Sequence, residues 1–227
     1  MGYRRVELTV GEWFHCYSRT IDYSRPFEEN RVAERFIETL YLANQSAPMP
    51  ESIFHQKYSH NEIFLQERAS PLVAIGAYSV MPTHYHLFAQ PVIEGGLSEF
   101  MHKVGTGFTR YFNQRQGRVG NLFVKPFRAK HVSSQAYFAH LPNYIHLNAT
   151  ELFEPEWKKG HVRDMARLEK QLRAYPYSSL PEYMHIGRPQ ASVLDAEAVS
   201  VLKESLPPLQ RSLADAAEYY QFLDLAL

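Results

Sequence analysis

Apolar positions along the chain follow two periods. Between Glu28 and Asn44, Val32, Phe36, Ile37, Leu40 and Ala43 recur at helical spacing, which predicts an amphipathic helix. Leu97, Phe100, Met101, Val104, Phe108 and Phe112 predict a second helix over Leu97 to Asn113, weakened by Gly105 and Gly107. Shorter apolar blocks read as strands: Trp13 to Arg19, Leu72 to Met81, Tyr85 to Val92 and Leu122 to Val132, with a short one at Ile63 to Leu65. Pro48 and Pro50 punctuate a loop, and Gly95-Gly96 marks a turn. Ser133 or Ser134 is placed to N-cap a third helix running to about Asn148. This β-α-β-β-α-β order predicts an α+β sandwich, with helices on one face of a mainly antiparallel sheet. Glu156 to Ala174 reads as a charged surface helix. From Ala191 to Leu227 six acidic residues stand against two basic ones, so residues 186–227 are expected to form a helical C-terminal appendage to a domain spanning 1–185.

Composition narrows the class. A chain of 227 residues, 45% apolar and 21% charged, has enough hydrophobic material for a packed core and is not a disordered polymer. A single cysteine, Cys16, excludes a disulfide framework or a thiolate zinc cluster within one chain, and fits an intracellular protein; a small core residue is its expected role. No stretch reaches the roughly 18 apolar residues of a membrane span. The opening MGYRRVELTV has two arginines but no apolar run behind them, so no secretory leader is expected.

Global charge is zero and uninformative; its distribution is not. Residues 101–150 contain no Asp or Glu but seven cations: Lys103, Arg110, Arg115, Arg118, Lys125, Arg128 and Lys130. The same segment holds Phe108, Tyr111, Phe112, Phe123, Phe127, Tyr137, Phe138 and Tyr144. Cations offset phosphate charge and aromatic rings stack on unpaired bases, so this interleaving suits single-stranded nucleic acid. A solvated basic face over ordinary core aromatics would read the same way in composition.

Candidate chemistry gathers in two places. In MPTHYHLFAQP, His84 and His86 are two apart, which on a strand puts both imidazoles on one face and lets them share a divalent metal. In NYIHLN, Tyr144 and Asn148 are four apart and share one face of a helix. A phenol there can act as a nucleophile and an amide oxygen as a hard third ligand. Taken singly, the tyrosine also fits a half-buried core position and the asparagine a helix end. His146 is out of phase with Tyr144 and reads as structural. Tyr111 and Tyr137 are the neighbouring alternatives to Tyr144.

Taken in order, MPTHYHLFAQP, GGLSEFMHKVGTGFTRYFNQRQGRVGNLFVKPFRAKHV and NYIHLNA resemble the REP-associated tyrosine transposases, which are single-tyrosine HUH (His–hydrophobic–His) endonucleases. FHCYSRTIDYSRPFEEN and AYPYSSLPEY extend the resemblance over about Trp13 to Tyr183. It implies a ferredoxin-like sheet with the His pair on a central strand and the tyrosine helix beside it. It further implies metal-assisted cleavage and rejoining of single-stranded DNA next to a hairpin, with Tyr144 forming a 5′-phosphotyrosine and His84, His86 and Asn148 holding Mg²⁺ or Mn²⁺. The DNA contacts expected are Lys125 and Arg128 first, then Lys130, Arg110, Arg115 and Arg118. A bacterial, cytoplasmic protein that joins the nucleoid when bound to DNA is implied, with no membrane partner; relatives include both dimers and monomers, so a homodimer is one expected assembly.

The sequence departs from that pattern in three places. Asn148 is followed by Ala149-Thr150-Glu151 where Asn-Pro-Val-Arg-Ala is usual, Ser18-Arg19-Thr20 stands for Asn-Arg-Gly, and Pro142 precedes Tyr144 by two residues. A proline there cannot donate to Phe138, so the helix is expected to kink or restart. The rival readings are a catalytically idle DNA-binding protein on the same fold, a metal hydrolase that uses water, and a scaffold that binds no nucleic acid.

Overall fold

The computed structural model describes residues 6–48, 51–159, 161–184, 186–204 and 211–213. Four strands carry the fold: β1 (Phe14–Arg19), β2 (Val73–Met81), β3 (His84–Pro91) and β4 (Arg128–His131). Between β1 and β2 lie α1 (Asn30–Ala43), α2 (Glu51–Lys57) and α3 (His60–Ile63); α4 (Gly96–Gln116) joins β3 to β4. After β4 come α5 (Gln135–Leu147), α6 (Thr150–Phe153), α7 (Met165–Ala174), α8 (Leu180–Tyr183) and α9 (Ala196–Lys203).

The strands form one antiparallel sheet in the order β2-β3-β1-β4. Two crossovers, through α1 and α4, each skip one strand, which is the ferredoxin-like arrangement that the β-α-β-β-α-β reading predicts. Both crossover helices lie on one face. There Phe14 and Cys16 of β1, Tyr85, Leu87 and Ala89 of β3, and Tyr78 and Val80 of β2 pack with Phe36, Leu40, Phe100, Val104 and Phe108. Cys16 is buried in this layer, as expected.

The opposite face has its own core. Ala77, Met81 and Phe88 pack with Leu141, Tyr144 and Ile145 of α5, and with Trp157, Leu168, Leu172, Tyr183 and Leu202. Gly76 sits at an irregularity in the β2–β3 pairing, and a Cβ there would lie 2.8 Å from Phe88 Cδ1 and 3.2 Å from Leu202 Cδ1. The glycine lets α9 and the Phe88 ring close over the strand. The chain from Tyr177 to Ser179 returns along β2, its Tyr177 O accepting from Val80 N at 2.9 Å and its Ser179 N donating to Tyr78 O at 3.0 Å. Arg188 holds this return, bonding Glu182 and the carbonyls of Ser178 and Pro176.

Several expectations change. Ile63 to Leu65 is not a strand: Ser59 and Glu62 form a capping box that starts α3. Of the strand expected over Leu122 to Val132, only Arg128–His131 pairs fully, while Phe123 makes a single bridge to Thr20. Pro126 and the glycine-bounded turn before it deprive the first half of regular pairing. The helix expected over Glu156 to Ala174 is, among the described residues, a short 3-10 turn at Trp157–Lys159 and then α7, N-capped by Asp164. Pro142 does not make α5 restart; the helix runs through it, one missing N–H being the cost. In the acidic C-terminal stretch, α9 lies against β2 and Asp195 N donates to Ile75 O at 2.8 Å. The rest of that stretch, residues 205–210 and 214–227, lies outside the described residues. No described helix is long and apolar enough to cross a membrane.

Candidate active site

Directly paired residues of an antiparallel sheet project to the same face. The register therefore puts His15, Tyr17 and Arg19 of β1 on one face with His84, His86 and Phe88 of β3. Ser79 and Met81 of β2 and Arg128 and Lys130 of β4 share that face. It is the face that α5 covers over β2 and β3, and it lies opposite α1 and α4.

The two histidines read from the sequence are thus side by side, their ring centroids 5.1 Å apart and their planes near perpendicular. Thr83 Oγ1 lies 3.0 Å from His84 Nδ1, and His15 Nε2 lies 2.9 Å from His86 Nδ1. Each histidine is therefore held through Nδ1. Burial pushes the His84 imidazole down to about 4, with the nearby Glu151 carboxylate and Lys158 ammonium acting in opposite directions. Burial likewise holds His86 well below the ordinary histidine range, helped by His84, His15 and Lys158. At neutral pH both rings are uncharged and keep one ring lone pair, the state in which imidazole ligates a metal.

Tyr144 reaches this pair from α5. Ser134 caps the helix by accepting from Tyr137 N at 3.1 Å, and Leu141 and Ile145 anchor it in the second core. The Tyr144 ring stands edge-on to His86 at 5.9 Å and edge-on to His15 at 5.6 Å, with 6% of the residue exposed. One turn on, Asn148 ends the helix, its amide nitrogen donating to the Tyr144 and Ile145 carbonyls at 2.9 and 3.3 Å. An amide oxygen is the kind of donor atom that a hard cation takes. Among the described residues no three His, Cys, Asp or Glu side chains gather as a metal cage. By chemistry, two neutral imidazoles can ligate a divalent metal, and an amide oxygen is the donor type that turns the choice toward Mg²⁺ or Mn²⁺.

The other sequence candidates divide. Arg128 and Lys130 share the histidine face but lie on β4, one strand removed from His84 and His86, paired with Tyr17 and His15 of β1 respectively, and Lys130 Nζ lies 5.1 Å over the Tyr137 ring. Lys125 is exposed next to Val124, whose N–H donates to Arg19 O at 2.9 Å. Arg110, Arg115 and Arg118 are on or just past α4, on the far side of the sheet. Arg115 pairs with Glu29, and Arg118 bonds Asn113 Oδ1 at 2.7 Å and Asn121 O at 3.1 Å. His146 points away, with Nε2 on Ser179 Oγ at 2.8 Å, and burial pushes it down to about 3.

Three residues at the site were missed by the sequence reading. His15 is 2% exposed and touches both His86 and Tyr144. Tyr17, half-buried, has its ring 5.7 Å from His86. Lys158, paired with Glu151 at 3.0 Å, lowers both histidines. The period-two alternation of FHCYSR puts His15, Tyr17 and Arg19 on one face, but only the strand register shows that this is the face of His84 and His86.

The fold and site define an antiparallel α+β protein in which a strand-borne histidine pair faces a helix-borne tyrosine. No family model matches the chain, and no curated protein matches it. Among solved structures, the chain is similar to a REP-associated tyrosine transposase bound to a REP hairpin, with a TM-score of 0.49 and 14% identity, covering 82% of this chain and 86% of that one.

Proposed function

We propose that the chain is a metal-dependent single-stranded DNA endonuclease and strand transferase that works near hairpin repeats through a 5′-phosphotyrosine. The observation that carries the reading is the Tyr144 ring 5.9 Å from His86, beside a pair of neutral histidines on one sheet face. The motif train of the sequence supplies the reaction class.

In this reading Tyr144 Oη attacks the scissile phosphorus. The 3′ oxygen leaves with the phenol proton as a free hydroxyl, and the 5′ phosphate stays on Tyr144. The reverse step, attack by a 3′-hydroxyl, reseals a strand without ATP, because the phosphoester is conserved. His84 and His86 through Nε2, and Asn148 through its amide oxygen, are the residues that would hold the cation. When bound, that cation polarises a non-bridging phosphate oxygen and offsets charge in the transition state. Arg128 and Lys130 hold the backbone on the β4 side. The cations around the site also favour the phenolate, which matters because a phenol ordinarily loses its proton near pH 10.

A second reading, an idle DNA-binding protein on the same fold, is favoured by one observation: Tyr144 is nearly buried, so its hydroxyl must be uncovered before it meets a phosphate. Incubation of the chain with hairpin-bearing single strands and Mn²⁺ decides between them. A covalent protein–DNA adduct on a denaturing gel is expected. Tight DNA binding with neither adduct nor cut strand would favour the idle reading.

A further inference from the structure

We propose that His15 is a positioning residue that sets the tautomer of His86, and that this makes His86 a ligand and not an N–H donor. The inference rests on the metal reading above. At 2.9 Å, His15 Nε2 and His86 Nδ1 can hold only one proton between them, since two N–H groups cannot face each other at that distance. The single proton has two places. On His86 Nδ1, it leaves His86 Nε2 with its lone pair toward the shared face. On His15 Nε2, it forces the neutral His86 to carry its hydrogen on Nε2, where no metal can bind.

The surroundings fix His15 so that it can exert this choice. It is a β1 residue whose own backbone is paired on both sides, to Phe88 of β3 and Lys130 of β4. Its ring lies nearly in the plane of the His86 ring, with centroids 5.1 Å apart and planes 22° apart, and the Tyr144 ring closes over it edge-on at 5.6 Å. Histidines that ligate through one nitrogen are ordinarily held through the other by a carboxylate or a carbonyl. Among the described residues the partner of His86 Nδ1 is a second imidazole, that of His15, and it does that work. The same ring touches the proposed nucleophile, so one buried side chain fixes the spacing of His86 and Tyr144 together.

The test reads the tautomer first, without metal and without DNA. In the full chain labelled with ¹⁵N-histidine, long-range ¹H–¹⁵N correlation should show His86 as the Nδ1–H form. His15→Gln keeps an acceptor oxygen and should preserve that form; His15→Leu removes it and should leave His86 as a mixture. Manganese binding, followed by electron paramagnetic resonance, should weaken about tenfold or more in His15→Leu and recover most of that loss in His15→Gln. Backbone spectra of both variants check that the sheet is intact. His86 found as the Nε2–H form in the wild-type chain overturns the proposal, as does Mn²⁺ binding in His15→Leu as tight as in wild type. A wild-type chain that binds no Mn²⁺ but shows the Nδ1–H form, lost in His15→Leu, sinks the metal reading and leaves the positioning role standing.

Discussion

Tyr144 and His86 meet edge to face across two elements that are far apart in the chain, a helix and the strand beneath it, with ring centroids 5.9 Å apart. The contact is set by packing and not by a turn. Leu141 and Ile145 of α5 bury against Ala77, Met81 and Phe88, so the helix is clamped over β2 and β3 on both sides of the tyrosine. A phenol held there is committed to the histidine face.

Tyr144→Phe should abolish both strand cleavage and the covalent adduct while leaving DNA affinity and Mn²⁺ binding close to wild type. Tyr17→Phe is the control, because Tyr17 is also within 5.7 Å of His86 by ring centroid. It should keep cleavage and adduct. An adduct that survives Tyr144→Phe and is lost in Tyr17→Phe would move the nucleophile to the strand; cleavage without any adduct would mean attack by water.

Buried histidines make a definite claim about stability and pH. Burial, with Lys130 adding to it, pushes His15 down to about 3, while burial takes His146 to about 3 and His84 to about 4. Unfolding returns each to near 6.5, so below that pH the unfolded chain binds protons that the folded chain refuses. Stability is therefore full above pH 6.5 and falls as the pH drops from there toward the folded-state values. Each group steepens the fall by about 1.4 kcal/mol per pH unit inside its window. Urea denaturation at about pH 7.5, 6.5 and 5.5 should show this slope. His146→Gln, remote from the His pair, should remove one group's share of it. A flat profile would mean these histidines take up protons in the fold as readily as in the unfolded chain.

Much of this was legible in the chain. The apolar period of α1 and α4, the proline-bounded runs of β2 and β3, and the serine cap of α5 predict those elements within a few residues. The spacing of His84 and His86 suffices to put both on one face. Pairing was harder. Ser59 and Glu62 carry a capping-box signature that the three apolar residues Ile63 to Leu65 obscure, since a run that short is ambiguous between strand and helix. The tie between His15 and His86 was out of reach, because it depends on which strands neighbour each other and in what register. The split of the basic segment between two faces depends on the same register: residues 101–150 look like one patch in sequence, yet the sheet divides them.

A prediction about folding follows from the return strand. Arg188 bonds both Glu182 carboxylate oxygens at 2.7 and 2.8 Å and Ser178 O at 2.9 Å, and Glu182 is buried. Arg188→Ala leaves that carboxylate without its partner and should cost about 3–5 kcal/mol by urea denaturation. Arg188→Ala with Glu182→Gln should recover part of the loss, because the buried charge is gone. Equal stability of the single variant and the wild type would show that the pair does not hold the return against β2.

The division of the basic segment yields the sharpest prediction about DNA. Arg128 and Lys130 lie on the histidine face, whereas α4 carries Arg110 and Arg115 on the other side of the sheet, with Arg118 tied to Asn113 just beyond its end. Composition gives all of them equal standing; geometry does not. Each phosphate contact to a single strand releases counterions and adds about 0.7 to the slope of log affinity against log salt. Neutralising Arg128 and Lys130 together should weaken binding to a hairpin-bearing single strand and flatten that slope by about 1.4 if each holds one phosphate. Neutralising Arg110 and Arg115 together should leave both affinity and slope near wild type. Titrations at several salt concentrations measure this directly. If the α4 pair flattens the slope and the β4 pair does not, the nucleic acid lies on the α1–α4 side, away from His84, His86 and Tyr144, and cleavage at this site is excluded with it.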